Sequence, residues 1–490
     1  MKTKSTQFTF EIKFFVLFTF LFSIALFGQN QGYIFTGANF NFQFPPNVST
    51  STISAWGGGG GGGSVNNSNG AKAGGGGGGG AFAQSAFTIT PGNIYSGYAG
   101  VGGAASSAGA DSYWNSTTTL LAKGGSGGGV GNITTAGAGG AGGFATNSIG
   151  TIKFAGGNGA IGANGTSSGG GGGSAGSTGN GGNASGSSGG SAGTGTPQGA
   201  AGANGRGTNG PGVDGNIPGS GGSGSYRTGG TQSPAGGAGG NGRIQIDYTG
   251  YCRPISTNSG TYINALSTTG GVTNISKSTT GYGAYGYQNW YYDSNGSVSA
   301  YEGNTFTVTF NLVAGTFGAG VAIWIDWNKN NSFDASERVY NSAAYLATGN
   351  TTTPAITVPV GTTAGDYVMR IVTDYWSMNP DSCTLNASGP RGEGEDYKLT
   401  VLALPACSGI PVGGTVTVNP TSGTPGSTYS VSATGYSNNA TGLTYQWQYS
   451  DDNGASWLNQ GTSSTTYSGL TGMTPYGAVR QWRLAVTCSN

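Results

Sequence analysis

The sequence predicts a mainly β protein, with a glycine-rich polyglycine-II/β module followed by two β-sandwich domains. Three observations carry that prediction. Glycine supplies 103 of the 490 residues, about three times ordinary usage, and much of it stands in unbroken blocks such as AWGGGGGGGS (55–64). Short runs alternate apolar and polar residues, the period of a strand with one buried face. Charge is scarce: 7% of residues are Asp, Glu, Lys or Arg, against about 25% in an average domain.

Residues 1–28 read as a signal peptide. Lys2, Lys4 and Lys13 precede the apolar run FFVLFTFLFSIALF (14–27), which is short for a transmembrane span and suits a signal core. Cleavage is expected near Gly28 and Gln29. No membrane span is expected in the mature chain, and export to the outside of the cell or its surface follows. An oxidising setting makes Cys252, Cys383, Cys407 and Cys488 two disulfides.

Residues 33–249 form the glycine-rich domain. Flexible linkers share this composition, but here alternating segments bracket the glycine blocks: FNFQF (40–44), STISAW (51–56), AFAQSAFTITP (81–91) and RIQIDY (243–248). Glycine lets extended three-residue-per-turn helices approach side by side, as at the collagen axis. Proline is sparse and no strict G-X-Y period exists, which excludes collagen. The expected form is a bundle of left-handed polyglycine helices held by main-chain hydrogen bonds and capped by a small β-framework.

Residues 250–402 switch to strands: NTFTVTFNLV (304–313), VAIWI (321–325), DYVMRIVT (366–373) and EDYKLTVL (395–402). This is a sandwich of immunoglobulin-like proportions. Cys252 opens it and Cys383 precedes its last strand, so a bridge between them is expected. Residues 405–490 read as a second, Ig-like sandwich with STYSVSATGY (427–436), LTYQWQYS (443–450) and RQWRLAVT (480–487). Trp447 is its expected core tryptophan, and Cys407 is the partner expected for Cys488. An Ig sandwich needs one more strand after VTCSN, so the chain is expected to be a fragment of a longer exported protein.

Composition also excludes. With no histidine, catalytic triads, Cys-His dyads, HExxH zinc sites and His-ligated iron are ruled out. No CxxC pair suggests zinc or thioredoxin chemistry. A net charge of +1, without basic clusters, argues against nucleic acid and anionic membrane surfaces. Paired carboxylates remain as a chemical option, but a small sandwich offers no obvious cleft, and no enzyme activity is expected.

One stretch concentrates oxygen ligands. In IDWNKNNSFDASE (325–337), Asp326, Asn328, Asn330, Ser332, Asp334 and Glu337 stand at the alternating ligand positions of a calcium loop. Ser332 would contribute its carbonyl, and Glu337 would be bidentate. Asn331 takes the position usually held by glycine. Three carboxylates imply modest affinity, on the order of 10⁻⁴–10⁻³ M. The competing reading is an Asx-rich turn without metal. Structural calcium is the expected cofactor. Glu393, Glu395 and Asp396 in GEGEDY (392–397) form a second acidic group, either near the metal or a solvated turn. Trp290, Tyr291, Tyr292 and Trp376 suit either sugar stacking or packing, and packing is the commoner fate of such rings.

Three resemblances follow from these phrases. WIDWNKNNSFDASE with GEGEDYKLTV downstream resembles the GEVED domain of secreted Bacteroidetes-type proteins, over roughly residues 251–402, with Gly394 in place of the usual valine. AWGGGGGGG, GGAFAQSAFTITPG, LLAKGGSGGG (120–129) and GGAGGNGRIQIDY (236–248) resemble the glycine-rich domains of bacterial surface proteins and phage tail-tip adhesins, in which loops at bundle tips bind receptors. The C-terminal region, with YQWQYSDDNGASW, is similar to Ig-like or PKD-like repeats, which imply a stalk ahead of a type IX secretion sorting domain. The implied function is a secreted, cell-surface multidomain protein, adhesin-like or structural, meeting surface glycans or other cell-surface components. The alternative is a non-catalytic accessory region of an exported enzyme whose catalytic domain lies outside this chain. Low charge and regular packing of a flat glycine-rich face also admit ice or mineral binding.

Overall fold

A computed structural model describes residues 29–386, 389–424, 426–461, 466–470 and 479–489. The expected signal peptide, residues 1–28, lies outside the described residues. Every long regular element is a strand, and only two short 3₁₀ turns, Ala145–Asn147 and Ala335–Glu337, interrupt the pattern among the described residues. No helix among them is long and apolar enough to cross a membrane.

The glycine-rich module begins and ends in one sheet. Gln29–Thr36 pairs antiparallel with Arg243–Gly250, which pairs with Thr50–Trp56, and that strand pairs with Phe82–Thr88. A second sheet of Asn39–Gln43, Ile94–Tyr98, Ser112–Trp114 and Leu120–Ala122 faces it. Alternation puts Tyr33, Phe35, Phe42, Ile53, Trp114, Ile244 and Ile246 between the sheets. This is the β-framework, and the glycine blocks run out from it.

The blocks are polyglycine-II helices. Along Gly57–Gly63 the hydrogen-bond partner repeats every third residue. Gly57, Gly60 and Gly63 donate to Ala81, Gly78 and Gly75; Gly58 and Gly61 to Ala110 and Ser107; Gly59 and Gly62 to Gly240 and Gly237, all at 2.7–3.0 Å. Their carbonyls accept with the same period from Gly125 and Gly128, from Gly103 and Ser106, and from Gly222 and Ser225. One helix is thus surrounded by three acceptor segments and three donor segments. Residues 74–81 are enclosed in the same way, donating to 219–225, 123–129 and 157–160 while accepting from 57–63, 137–143 and 169–175.

Close approach dictates the glycine. A Cβ on Gly60 would stand 2.0 Å from the Ser126 carbonyl oxygen, and one on Gly76 1.8 Å from that of Gly170. Unbroken glycine runs therefore mark interior helices, buried along their whole length (57–63, 74–80, 169–173). Outer helices carry side chains on their open edge. There Asn oxygens accept the main-chain N–H groups that lack another helix: Asn158 from Gly142, Asn180 from Ala155, Asn183 from Asn158, Asn204 from Gly189. Each such N–H is satisfied without presenting a bare edge.

The second unit is a two-sheet sandwich. One sheet holds Ser276–Lys277, Tyr262–Thr269, Thr305–Val313, Gly349–Thr352 and Ile356–Thr357. The other holds Tyr287–Asn289, Ser297–Tyr301, Gly392–Leu402, Gly365–Tyr375, Ala319–Ile325 and Arg338–Asn341. Phe306, Val308, Phe310, Val321, Ile323, Met369, Ile371, Leu399 and Val401 fill the space between. The second sheet is buried on its outer face as well, by Tyr251, Trp324, Phe333, Val368, Val372 and Leu385. This explains the continuous apolar stretch in Ala319–Ile325, all of it buried. A disulfide joins Cys252 to Cys383.

The third unit packs Thr415–Asn419, Thr428–Thr434 and Thr466–Leu470 against Leu458–Gln460, Leu443–Ser450 and Gln481–Cys488. Trp447 is buried with Val431 and Leu484. The second disulfide joins Cys407, which precedes the first of these strands, to Cys488 at the end of the last. It ties the start of the unit to its final strand, whereas the immunoglobulin bridge spans the two sheets at mid-strand.

Candidate functional site

The loop 326–337 leaves the buried strand Ala319–Ile325 and ends on the 3₁₀ turn Ala335–Glu337. Asp326 is fully buried. Its Oδ1 accepts from the Asn330 N–H at 3.2 Å, and its Oδ2 from the Asn331 N–H at 3.0 Å and the Tyr251 hydroxyl at 2.5 Å. Asn328 Oδ1 accepts from Asn330 N–H and Asn330 Oδ1 from Ser332 N–H, at 2.9 and 2.7 Å. The amide groups of Asn328 and Asn330 both donate to Asp334 Oδ2, at 3.1 and 3.2 Å. Glu337, also buried, accepts from the N–H groups of Asn328 and Asp334 at 3.2 and 3.0 Å. Lys329 and Asn331 adopt φ of 57° and 59°, so Asn331 holds the left-handed conformation that glycine supplies in most such loops.

The loop thus gathers the side chains of Asp326, Asn328, Asn330, Asp334 and Glu337 in one network of oxygens and amides, with Ser332 entering through its main chain. None of the ion pairs among the described residues uses Asp326, Asp334 or Glu337. The neighbouring ammonium of Lys329 lies over the Tyr367 ring at 4.0 Å. Burial pushes the Asp326 and Glu337 carboxyls up from their ordinary range, and for Glu337 the charges of Asp326 and Asp334 add to it. Among the described residues no three Asp, Glu, Cys or His side chains form a metal-holding cluster. Calcium would therefore draw on amide and main-chain oxygens beside the carboxylates, a donor set of hard oxygens that fits such a cation.

The GEGEDY segment lies elsewhere. Residues of Gly392–Leu402 alternate across the sheet, so Glu393 and Glu395 face the sandwich interior with Tyr397, while Asp396 faces the outer core. Glu393 accepts from the N–H groups of Gly283 (2.6 Å) and Ile263 (3.1 Å). The Gln288 amide donates to both carboxylates, at 3.1 and 3.2 Å. The Tyr397 hydroxyl donates to Glu395 at 2.8 Å and Trp290 Nε1 at 3.4 Å. Burial pushes Glu395 up to about 7; burial, followed by the neighbouring Glu395 charge, pushes Glu393 well above its usual range. The solvated-turn expectation for these residues fails, because all three are fully buried.

Asp396 takes a bidentate pair from Arg370, at 2.6 and 2.7 Å, and the Tyr287 hydroxyl at 2.5 Å. Burial alone would lower the Arg370 pKa, and the Asp396 carboxylate outweighs it and holds the guanidinium charged. Arg370 also donates to the Cys252 and Ser382 carbonyls, at 2.7 and 3.1 Å, and packs 4.6 Å from the Phe333 ring. Phe333 in turn stacks on Tyr251 at 4.9 Å. The acidic motif, the first disulfide and the 326–337 loop are therefore joined through Arg370, Phe333 and Tyr251, and the motif's carboxylates are bonded to other partners than the loop's.

Residues 320–400 match the GEVED domain. Residues 35–249 match the glycine-rich domain. The comparison with curated proteins gave no match. The GEVED match takes in the loop, Arg370 and the GEGEDY strand, while the strands from Tyr262 to Val313 that complete the sandwich precede it.

Tyr251, Arg370 and Phe333 went unrecognised in the sequence. Arg370 had a signal: it is the one charged residue inside the apolar run YVMRIV, which demands a buried partner. Tyr251 and Phe333 had none. The four aromatics singled out from the sequence do not converge. Trp290 packs against the core of the GEVED sandwich and Tyr291 against its outer face. The Tyr292 hydroxyl accepts from Asn47 N–H at 3.1 Å, and Trp376 stands exposed beside Phe317.

Proposed function

We propose that this is an exported, cell-surface multidomain protein of adhesin-like or structural type, non-catalytic, with a structural calcium ion in the loop 326–337. Surface glycans or other cell-surface components are its partners in this reading. The observation that carries it is that all four cysteines are paired in a chain whose glycine-rich domain is ordered by main-chain contacts. Such a body suits an oxidising exterior and offers a stiff scaffold with few charged side chains. The glycine-rich and GEVED domains are bonded to each other, which suits a scaffold that transmits load. Asn289 binds the Phe44 carbonyl at 2.8 Å, Tyr33 the Arg253 carbonyl at 3.0 Å, and Asn47 the loop residue Asn331 at 3.2 Å.

Calcium would draw the carboxylates of Asp326, Asp334 and Glu337 together and pin the connection between two strands, a mechanical role. Intact producing cells treated with a membrane-impermeant biotin reagent test the display: the protein should be labelled and should run with both disulfides intact on a non-reducing gel. Labelling only after lysis refutes display.

A further inference from the structure

We propose that the junction between the glycine-rich and GEVED domains is a binding groove for a neutral carbohydrate chain. A cavity of about 630 Å³ opens there, within the usual range for ligand sites, which favour domain boundaries. One wall comes from the framework strands, with Asn39, Asn41, Ser96 and Tyr113. The other comes from the GEVED side, with Tyr282 and Tyr285. The lining contains no charged residue. Flat phenol rings beside amides and hydroxyls are what a sugar requires: its C–H faces pack on rings, and its hydroxyls exchange hydrogen bonds with Asn and Ser. An anionic polymer would find no cation here, and a purely apolar ligand would strand the amides.

Three features show that the groove is built. First, its walls are cross-bonded, so its width is fixed before any ligand arrives. The Tyr285 hydroxyl donates to the Asn39 carbonyl at 3.1 Å, and Arg253 donates to the Ala284 carbonyl at 2.6 Å while its guanidinium lies 4.3 Å from the Phe42 ring. Second, Tyr285 has φ of 55°, a conformation rare for a bulky residue and one that persists where its surroundings enforce it. That turn carries the ring against Phe35, at 5.1 Å between centroids. Third, the strand wall is firmly seated: a Cβ on Gly97 would stand 2.3 Å from the Phe40 ring, so glycine there lets that ring pack into the core behind the wall.

The groove rests on the display reading only for its setting. Purified protein tests the groove and whole cells test display, so either can fail alone. The assay is titration calorimetry of the purified chain against soluble β-glucan, xylan and mannan, with polygalacturonate and heparin as charged comparisons. Binding to at least one neutral polymer is expected. Tyr113→Ala should weaken it about tenfold, the scale of one lost stacking contact, and Ser96→Trp, which fills the groove from an exposed position, should abolish it. Both variants should keep the parent unfolding temperature; if Tyr113→Ala does not, Ser96→Trp and the exposed Asn41→Ala decide. Binding to no neutral polymer, binding to the charged polymers alone, or wild-type binding by Ser96→Trp would overturn the proposal.

Discussion

Replacing Gly60 by alanine separates a packed glycine bundle from a slack one by the sign of the effect. In a flexible tract, Gly→Ala is neutral or stabilises by about 0.4–1 kcal/mol, through loss of freedom in the unfolded chain. In this bundle the new Cβ would lie 2.0 Å from the Ser126 oxygen, where real contacts stay above 3.0 Å. The two helices must part by at least the difference, 3.0 − 2.0 = 1.0 Å. The Ser126 oxygen accepts from Gly78 at 2.9 Å, and Gly60 donates to Gly78 at 2.8 Å and accepts from Gly222 at 3.0 Å. Whichever helix moves, one or two of these bonds are lost in a buried place, at about 1–3 kcal/mol each. At a central value of about 2 kcal/mol per bond, subtracting the unfolded-state gain leaves a net loss of about 1–3.6 kcal/mol. That lowers the unfolding temperature of the glycine-rich domain by roughly 2–14 °C, on the scale of about 2–4 °C per kcal/mol for a domain of this size. The control is Gly229→Ala, because a Cβ there meets nothing within 4 Å. Differential scanning calorimetry of the three proteins reads the result. Equal unfolding temperatures for both variants and the parent would refute the bundle.

The buried GEGEDY carboxylates predict that the GEVED domain is more stable in mild acid than at neutral pH. The Glu395 pKa is raised to about 7 in the fold from an ordinary 4.5, so the folded state holds the extra proton between those values. Its contribution is complete below about pH 4.5 and is lost as pH rises through about 7, on the order of 3 kcal/mol. Glu395→Gln should flatten that slope in urea unfolding from pH 5 to 8, and an unchanged slope would assign the dependence elsewhere. Arg370→Met leaves Asp396 buried without its cation and should cost about 3–5 kcal/mol, while Arg370→Met with Asp396→Leu should recover most of it; chemical denaturation midpoints report both. Millimolar calcium should raise the unfolding temperature of the GEVED domain, since a ligand of the native state alone stabilises it. Asp326→Ala should remove that rise, and the absence of a rise in the parent would leave the loop an Asx-rich turn.

Main-chain chemistry made the glycine-rich domain legible from residues alone. Where every approach is backbone to backbone, the residue without a Cβ is the only one that fits, so the blocks at 57–63, 74–80 and 169–173 announce interior helices directly. Two-residue alternation likewise marked Thr305–Val313 and Gly365–Tyr375 as strands, and the oxygen-bearing residues of 326–337 stood out by spacing. Which blocks lie beside which could not be read, because one glycine run offers no side chain to distinguish its neighbours; only the closed hydrogen-bond pattern orders them.

Partnership between distant residues was decided by tertiary structure. Short runs of charge usually sit in water, which made a solvated turn one reading of the GEGEDY acids, beside a place near the metal. The sheet instead places Glu393 and Glu395 inside and Asp396 against Arg370, since neighbouring residues on a strand face opposite ways. The union of Tyr251, Phe333 and Arg370 between loop and motif, and the groove between Tyr113 and Tyr285, join segments far apart in the chain. Composition and period are local properties and survive in one dimension; which faces meet depends on how the sheets and helices close in three.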